Sequence, residues 1–352
     1  MSFERFLAKR IAQGVVVIWG AITVLFVLRA ASPVDPVDMI VGQAAVDDET
    51  RQLIRERHGL DQPVTVQYIE YLAGIVRLDF GYSYTSQRSV WILVVERIPA
   101  TLELAIAATI VALVIAIPLG VISGTRRNEA PDYGATMFSL LGISTPNFWL
   151  GVMLIMLFAV WFELPFIGTF PTGRRPVALH DALWTMVSTF SGAVIAGDLA
   201  TLASPRAYLG DLGVWIHHIT LPAITLGTYF TALITRLTRS GMLEESGKPY
   251  ATAAQAKGLP IVLVRYKHVL RNTMIPIITV LGLQLGVLLG GAVVTETVFN
   301  WPGLGLRLIG AIHSLDWPLI QGIIIFIAVG YVTINIAVDA IYAYLNPKVI
   351  AE

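Results

Sequence analysis

The chain has 352 residues, 55% of them hydrophobic and only 14% charged, with a mean hydropathy of +0.71. Soluble domains carry about 25% charged residues, so this composition excludes an ordinary soluble fold and points to long membrane-embedded runs. Net charge is zero and there is no cysteine, which removes any global attraction to nucleic acid and excludes disulfides, thiolate metal sites and iron–sulfur clusters.

The first feature in chain order is a basic N-terminus, Arg5, Lys9 and Arg10, followed by an uncharged run over 11–28. That run exceeds a secretory h-region of roughly 7–15 residues and no small-residue cleavage site follows it. It predicts a first spanning helix retained in the mature protein. The segment from about 29 to 97 is too long to be a mere connection. It opens with Asp35, Asp38, Asp47, Asp48 and Glu49, and in Val66-Gln-Tyr-Ile-Glu-Tyr-Leu-Ala-Gly-Ile75 the apolar residues recur at helical spacing. Small extracytoplasmic helices are expected there, either as a structural lid or as a docking surface for a soluble partner.

Five more uncharged stretches, 104–125, 133–162, 219–235, 274–295 and 317–338, reach or approach the length of about 20 residues that a span needs. The stretch 219–235 is short and carries Pro222 near its start; Arg236 and Arg239 extend it by snorkelling. The expected fold is an all-α integral membrane protein with six transmembrane helices. Its orientation follows from the short basic segments. The N-terminus, Arg126 with Arg127, and the loop holding Arg236, Arg239, Lys248, Lys257, Arg265, Lys267 and Arg271 all fall on one side when spans alternate. That side is the cytoplasm. A seventh span over 182–201 would reverse this agreement, and its Ser188, Thr189, Ser191, Gly192, Gly197 and Asp198 favour a surface or interfacial helix.

Catalytic chemistry is not visible. The histidines, His58, His180, His217, His218, His268 and His313, form no metal-ligand spacing; the adjacent pair at 217 and 218 would not face one another on a helix. No metal, cofactor or catalytic residue is expected, and no phosphate-binding Gly-Lys-Ser/Thr loop occurs. Gly303-Leu-Gly305 reads as a turn. Asp339 and Glu296 lie near the ends of spans, where an anchoring role competes with a proton relay. Gly282, Gly286 and Gly290 form a ladder on one face of the fifth span, which suits close helix packing or a translocation path.

The loop between the fourth and fifth spans is the most informative. Tyr250-Ala-Thr-Ala-Ala-Gln-Ala-Lys-Gly258 has small residues at Ala251, Thr252, Ala253, Ala254 and Ala256 and stops at Gly258. Such a helix lets a partner approach its backbone closely, and glycine ends it at little cost. A membrane domain without its own energy source, presenting this helix to the cytoplasm, suggests a pore subunit driven by a separate motor.

These residues resemble the permease subunits of ATP-binding-cassette importers, in the dipeptide/oligopeptide/nickel branch and of the first-permease type. Tyr250, Thr252, Ala253, Ala256, Lys257 and Gly258 match the branch's inner-membrane signature, with Arg236-Leu-Thr-Arg239 and Met242-Leu-Glu244 upstream. Further blocks agree in order and spacing: Leu60-Asp-Gln-Pro63, Asp79-Phe-Gly-Tyr-Ser83, Arg97-Ile-Pro-Ala-Thr-Leu-Glu-Leu104, Pro146-Asn-Phe-Trp-Leu-Gly151, Leu221-Pro-Ala-Ile-Thr-Leu-Gly227, Phe299-Asn-Trp-Pro-Gly-Leu-Gly305 and Asp316-Trp-Pro-Leu319. The chain departs from the branch in Leu345-Asn-Pro-Lys348, where Leu-Asp-Pro-Arg is common, and in a longer segment from about 176 to 213.

The resemblance implies a multi-pass permease of a prokaryotic inner or plasma membrane, with both termini cytoplasmic. Residues 1–30 hold the N-terminal segment and first span, and 31–98 an extracytoplasmic helical region. Residues 99–345 form a five-helix core, with an extracytoplasmic insertion at about 163–216 and a cytoplasmic coupling loop at 238–272; 346–352 form a cytoplasmic tail. Tyr250, Thr252, Ala253, Ala254, Ala256, Lys257 and Gly258 would form the coupling helix. Implied partners are two ATP-binding-cassette ATPase subunits, a second homologous permease, an extracytoplasmic substrate-binding protein and membrane lipid. The cargo would be di- or oligopeptides or a related small solute. The alternative is an ion-coupled secondary transporter or channel; an anchoring subunit of a larger membrane complex is a third class.

Overall fold

The structure is a computed structural model and describes residues 3–41, 47–57, 59–162 and 168–345. His58, the first residues of the expected insertion and the tail at 346–352 lie outside the described residues. The fold is all-α: among the described residues the backbone is helical apart from turns, loops and one isolated bridge between Tyr82 and Ser89. The chain divides into two compact units, residues 1–99 with 303–352, and residues 100–302.

In the first unit, α1 (Phe3–Ala30) is followed by the short α2 (Pro36–Val41), α3 (Asp48–Arg57), α4 (Val64–Val76) and α5 (Val90–Val95). The helices that close the chain come later, and of these α15 (Leu304–His313) and α16 (Trp317–Leu345) belong here. α1 and α16 run antiparallel. A Cβ added at Gly14 would lie 2.6 Å from Val332, the Arg10 guanidinium meets Asp339 at 3.1 Å, and Gln321 donates to the Leu25 carbonyl at 3.2 Å. Asp339 is therefore an ion-paired anchor between two helices. Val90, Leu93 and Val94 of α5 pack on Leu308 and Ala311 of α15 and on Leu319, Ile320 and Ile323 of α16. Asp316 opens α16: its buried carboxylate accepts from the Ser83 hydroxyl (2.5 Å), the Thr85 hydroxyl (2.8 Å) and the backbone N–H of Tyr84 (3.1 Å). A buried carboxylate needs such donors, and they join two of the sequence blocks noted above.

The second unit begins within α6 (Ile98–Thr125) and continues through α7 (Ala130–Ser144), α8 (Asn147–Ile155) with a π-helical turn at Met156–Trp161, α9 (Leu179–Ala196), α10 (Leu199–Leu202) and α11 (Pro205–Ser246). After these come α12 (Pro249–Ala256), α13 (Ile261–Leu263), a second π-helical turn at Val264–Val269 and α14 (Leu270–Val298). Ala108, Ala112 and Ala116 recur at every fourth position of α6 and are buried, and Gly120 and Gly124 continue the row. This strip lets α6 lie backbone-close against α11, as small residues do in membranes. A Cβ added at Gly227 would sit 2.7 Å from the Ala108 carbonyl oxygen, and one at Gly120 would sit 2.4 Å from Thr238.

Among the described residues three stretches, Phe3–Ala30, Val90–Thr125 and Trp317–Ile341, are long and apolar enough to cross a membrane, and two bent helix pairs raise the number to at most five. The expected third span is one of these pairs: Ala130–Ser144 and Asn147–Trp161 meet at 105°. Pro146 holds Thr145 in an extended conformation (φ −84°, ψ 123°), which breaks the helix. The fifth expected span bends by 46° between Ile261–Met274 and Pro276–Gly286, where Pro276 removes a helix donor. The fourth stretch, 219–235, lies within α11, whose threonines and arginines dilute its apolar character. At 42 residues α11 is about 63 Å long, roughly twice the hydrocarbon thickness of about 30 Å. The ambiguous segment 182–201 is α9 with α10, a helix pair outside the span-forming set, with Ala182 and Ala193 buried.

Candidate functional site

The loop singled out in the sequence folds as a short helix set between the end of α11 and the start of α14. Gly247 follows α11, Lys248 is extended (ψ 149°), and Pro249 occupies the first helical position, where its missing N–H costs nothing. α12 then runs to Ala256. Gly258 adopts φ +76°, a conformation that side-chain-bearing residues rarely take, and its N–H donates to the Gln255 carbonyl at 2.9 Å.

α12 has two distinct faces. Ala251 and Ala254 are buried and pack with Val121, Met242, Val264 and Val269, so they join α12 to its own chain. Thr252, Ala253, Ala256, Lys257 and Gly258 are exposed, and Tyr250 is half-buried at the seam. Lys257 has no ion pair among the described residues. The helix thus rests on small inward residues and presents small outward ones. A cavity of about 170 Å³, lined in part by Gly124, Ala251, Gln255 and Arg265, lies against it.

A carboxylate clamps the turn before α12. Glu245 accepts from the Lys248 ammonium at 2.5 Å and from the Tyr250 hydroxyl at 2.7 Å. Burial would raise the Glu245 carboxyl, but these donors outweigh it and hold the group below its ordinary value. The same contacts raise Lys248, and burial, then the bond to Glu245, raises Tyr250. In the sequence alone, Glu244 and Glu245 register only as countercharges in a basic loop. The available signal was spacing, since a Glu three residues before a Lys and five before a Tyr across a helix end can chelate both.

Farther up α11, Arg239 donates twice to Asp132 of α7, and Ser123 of α6 donates to the same carboxylate at 2.5 Å. At the opposite end of this unit, Glu103 of α6 accepts from Arg175, from the Trp215 indole (3.0 Å) and from the Leu179 N–H (3.1 Å). Glu103 and Arg239 stand within recognisable sequence blocks, but nothing in those blocks reveals their partners. The glycine ladder on α14 is divided: Gly282 and Gly286 are buried, while Gly290 is exposed and a Cβ there would meet nothing within 4 Å. No part of this arrangement is a constellation for bond-making chemistry. A surface helix is tied through α11 to the helices α6, α7 and α14.

An all-α, multi-pass fold with a small-residue helix exposed in a basic loop is that of an integral membrane protein. The match to known proteins gives the family. Residues 116–351 match the model described as binding-protein-dependent transport system inner membrane component, and residues 3–105 match the corresponding N-terminal model. The chain belongs to this family and is a permease subunit of an ATP-binding-cassette importer. It is similar to the di/tripeptide transport system permease protein DppB of Pseudomonas aeruginosa (38% identical, 98% of both chains covered). It is 36% identical to the dipeptide transport system permease protein DppB of Escherichia coli K12, again over 98% of each chain. The oligopeptide transport system permease protein AppB of Bacillus subtilis is 34% identical over 98% of each. The ion-coupled alternative is not favoured.

Proposed function

We propose that this subunit forms half of a translocation path for di- or oligopeptides delivered by an extracytoplasmic binding protein, and that α12 is the helix through which ATPase subunits move it. The observation that carries this is the split of α12 into an inward alanine face and an open face of Thr252, Ala253, Ala256, Lys257 and Gly258. The relatives named for di/tripeptide, dipeptide and oligopeptide transport support the cargo class.

In this reading two ATP-binding-cassette subunits each hold one coupling helix, and a second, homologous but different permease supplies the other. Closure of the ATPase pair displaces α12 as a rigid body and shifts the helices tied to it between two packings. Tyr250 and Ala254 keep α12 fixed to its own chain, the open face makes the contact, and Lys257 pairs with an acidic group on the ATPase. ATP hydrolysis resides on those separate subunits. Selectivity lies with the binding protein, which accords with the few charged residues in the spans. The positive-inside pattern supports cytoplasmic N- and C-termini in a prokaryotic inner membrane, and with them an extracytoplasmic position for 31–98 and the segment of about 163–216. Gly282, Gly286 and Gly290 serve the path or its helix packing, with Gly290 on the open side.

Two measurements test this. Mild-detergent purification of tagged chain should recover an ATPase pair, a second permease and ATPase activity; a lone, inactive chain would count against it. Gly258→Trp should abolish transport and stimulated ATPase activity while leaving membrane insertion intact. Survival of both would remove α12 from the docking role.

A further inference from the structure

The first unit contains a polar cavity that the transport reading does not use. It measures about 290 Å³, and its lining includes Arg29, Glu70, Tyr71, Asp79, Tyr84 and Gln321. Arg29 stands in the last turn of α1, half-buried, and its guanidinium has no ion pair or hydrogen bond among the described residues. The Tyr71 hydroxyl is buried and has no hydrogen-bond partner among the described residues. A buried donor without an acceptor is costly, and a guanidinium beside it would complete an oxyanion site. Burial raises the Tyr71 and Tyr84 hydroxyls, and in both cases the Arg29 charge opposes the rise, so the cation lies within electrostatic reach of the two rings. The same lining contributes carboxylates: Glu70 is exposed, and Asp79 accepts only the Gly81 N–H at 3.0 Å among the described residues.

Position points to the ligand. Val24, Val27 and Leu28 of α1, just before Arg29, are exposed apolar residues, as are Ile69 and Val76 of α4. In a chain that crosses a membrane such surface meets acyl chains, and Arg29 stands where the apolar stretch ends, at headgroup depth. The cavity offers a cation with a hydroxyl donor for an oxyanion, and carboxylates for an ammonium. We propose that it binds the headgroup of a zwitterionic aminophospholipid of the phosphatidylethanolamine type, with the phosphate on Arg29 and Tyr71 and the ammonium on Glu70 and Asp79. A trimethylammonium headgroup has no N–H to donate, and a glycerol headgroup has no cation. Both should bind more weakly.

The test is native mass spectrometry of the purified transporter complex given equal amounts of phosphatidylethanolamine, phosphatidylcholine and phosphatidylglycerol. It reads lipid retention and depends on neither orientation nor cargo. The complex should retain phosphatidylethanolamine preferentially. Arg29→Gln should reduce that retention about tenfold, the equivalent of one charge-assisted hydrogen bond. Tyr71→Phe, which removes a single oxygen, should also reduce it and keeps the test decisive if the arginine variant fails to assemble. Equal retention of the three lipids, or unchanged retention in Tyr71→Phe, would overturn the proposal. So would displacement of the lipid by alanyl-alanine in an Arg29-dependent manner, which would give the cavity to a zwitterionic peptide instead.

Discussion

Asp132 and Arg239 form a bidentate ion pair between α7 and α11, with Nε 2.6 Å from one carboxylate oxygen and Nη2 2.9 Å from the other. The carboxylate is buried, and Ser123 and the Asn128 N–H (2.9 Å) supply its remaining donors. One side chain therefore gathers α6, α7 and the loop between them onto the stretch of α11 that leads into α12. If α12 is pushed, this is where α11 passes the displacement to its neighbours.

Removing both members of the pair should cost less than the two single removals added together. Asp132→Ala leaves the Arg239 guanidinium without its carboxylate, and breaking a buried pair costs about 3–5 kcal/mol; Arg239 is 31% exposed, so the lower end applies. The double variant Asp132→Ala with Arg239→Ala should lose less than the sum of the two singles. Unfolding of the detergent-solubilised protein in increasing denaturant measures all three. Strict additivity would show that the pair is not energetically coupled.

The Glu245 clamp should give the α12 region an acid-sensitive stability. Its folded pKa lies below the ordinary value of 4.5. Its contribution is therefore fully present above about pH 4.5 and declines as pH falls through the lower folded value. Between pH 7 and 5 the variant Glu245→Gln should unfold at a constant offset below wild type, and the offset should shrink below pH 4.5. Hydrogen exchange of the amides in α12 measures this locally. An offset that does not change with acidification would mean the carboxylate is not stabilised by folding.

Much of this architecture was legible because membranes impose simple rules. Long uncharged runs located α1, α6 and α16, and the Tyr250–Gly258 block located α12. What escaped depends on pairs that are distant in sequence. Thr145-Pro146 was inside an apolar run that length alone read as one span, yet the proline bends it by 105°. The length of α11 was hidden because polar and basic residues flank its apolar middle. The row from Ala108 to Gly124 is at least as regular as the ladder on α14 that drew attention. Alanine and glycine at fourfold spacing declare a close contact only when the facing residue, here Gly227, is known. Asp339 was ambiguous between relay and anchor until Arg10 appeared beside it.

That row and that ladder make opposite predictions for the same substitution. At Gly227 an added methyl would lie 2.7 Å from the Ala108 carbonyl oxygen, so Gly227→Ala should force α6 and α11 apart and destabilise by about 1–3 kcal/mol. At Gly290 the methyl would meet nothing within 4 Å. Gly290→Ala should then stabilise the helix by about 0.5–1 kcal/mol, since glycine loses more backbone entropy on folding. Thermal unfolding in detergent separates the two, and a shift of the same sign for both would contradict the packing described.

The two faces of α12 can be told apart by exchanging size on each. Ala251 is fully buried against Met242 and Val264, so Ala251→Leu overpacks the chain's own core and should lower its thermal stability even when no other subunit is present. Ala253 is exposed, so Ala253→Leu should leave the isolated subunit as stable as wild type. Under the coupling proposal the larger side chain of that variant instead blocks the close approach of a partner. Co-purification of the ATPase and peptide-stimulated ATP hydrolysis should fall for it while insertion and stability do not. If Ala253→Leu hydrolysed ATP normally, the partner would have to contact some other surface of the loop, because a face built from small residues has no reason to tolerate a large one at its centre.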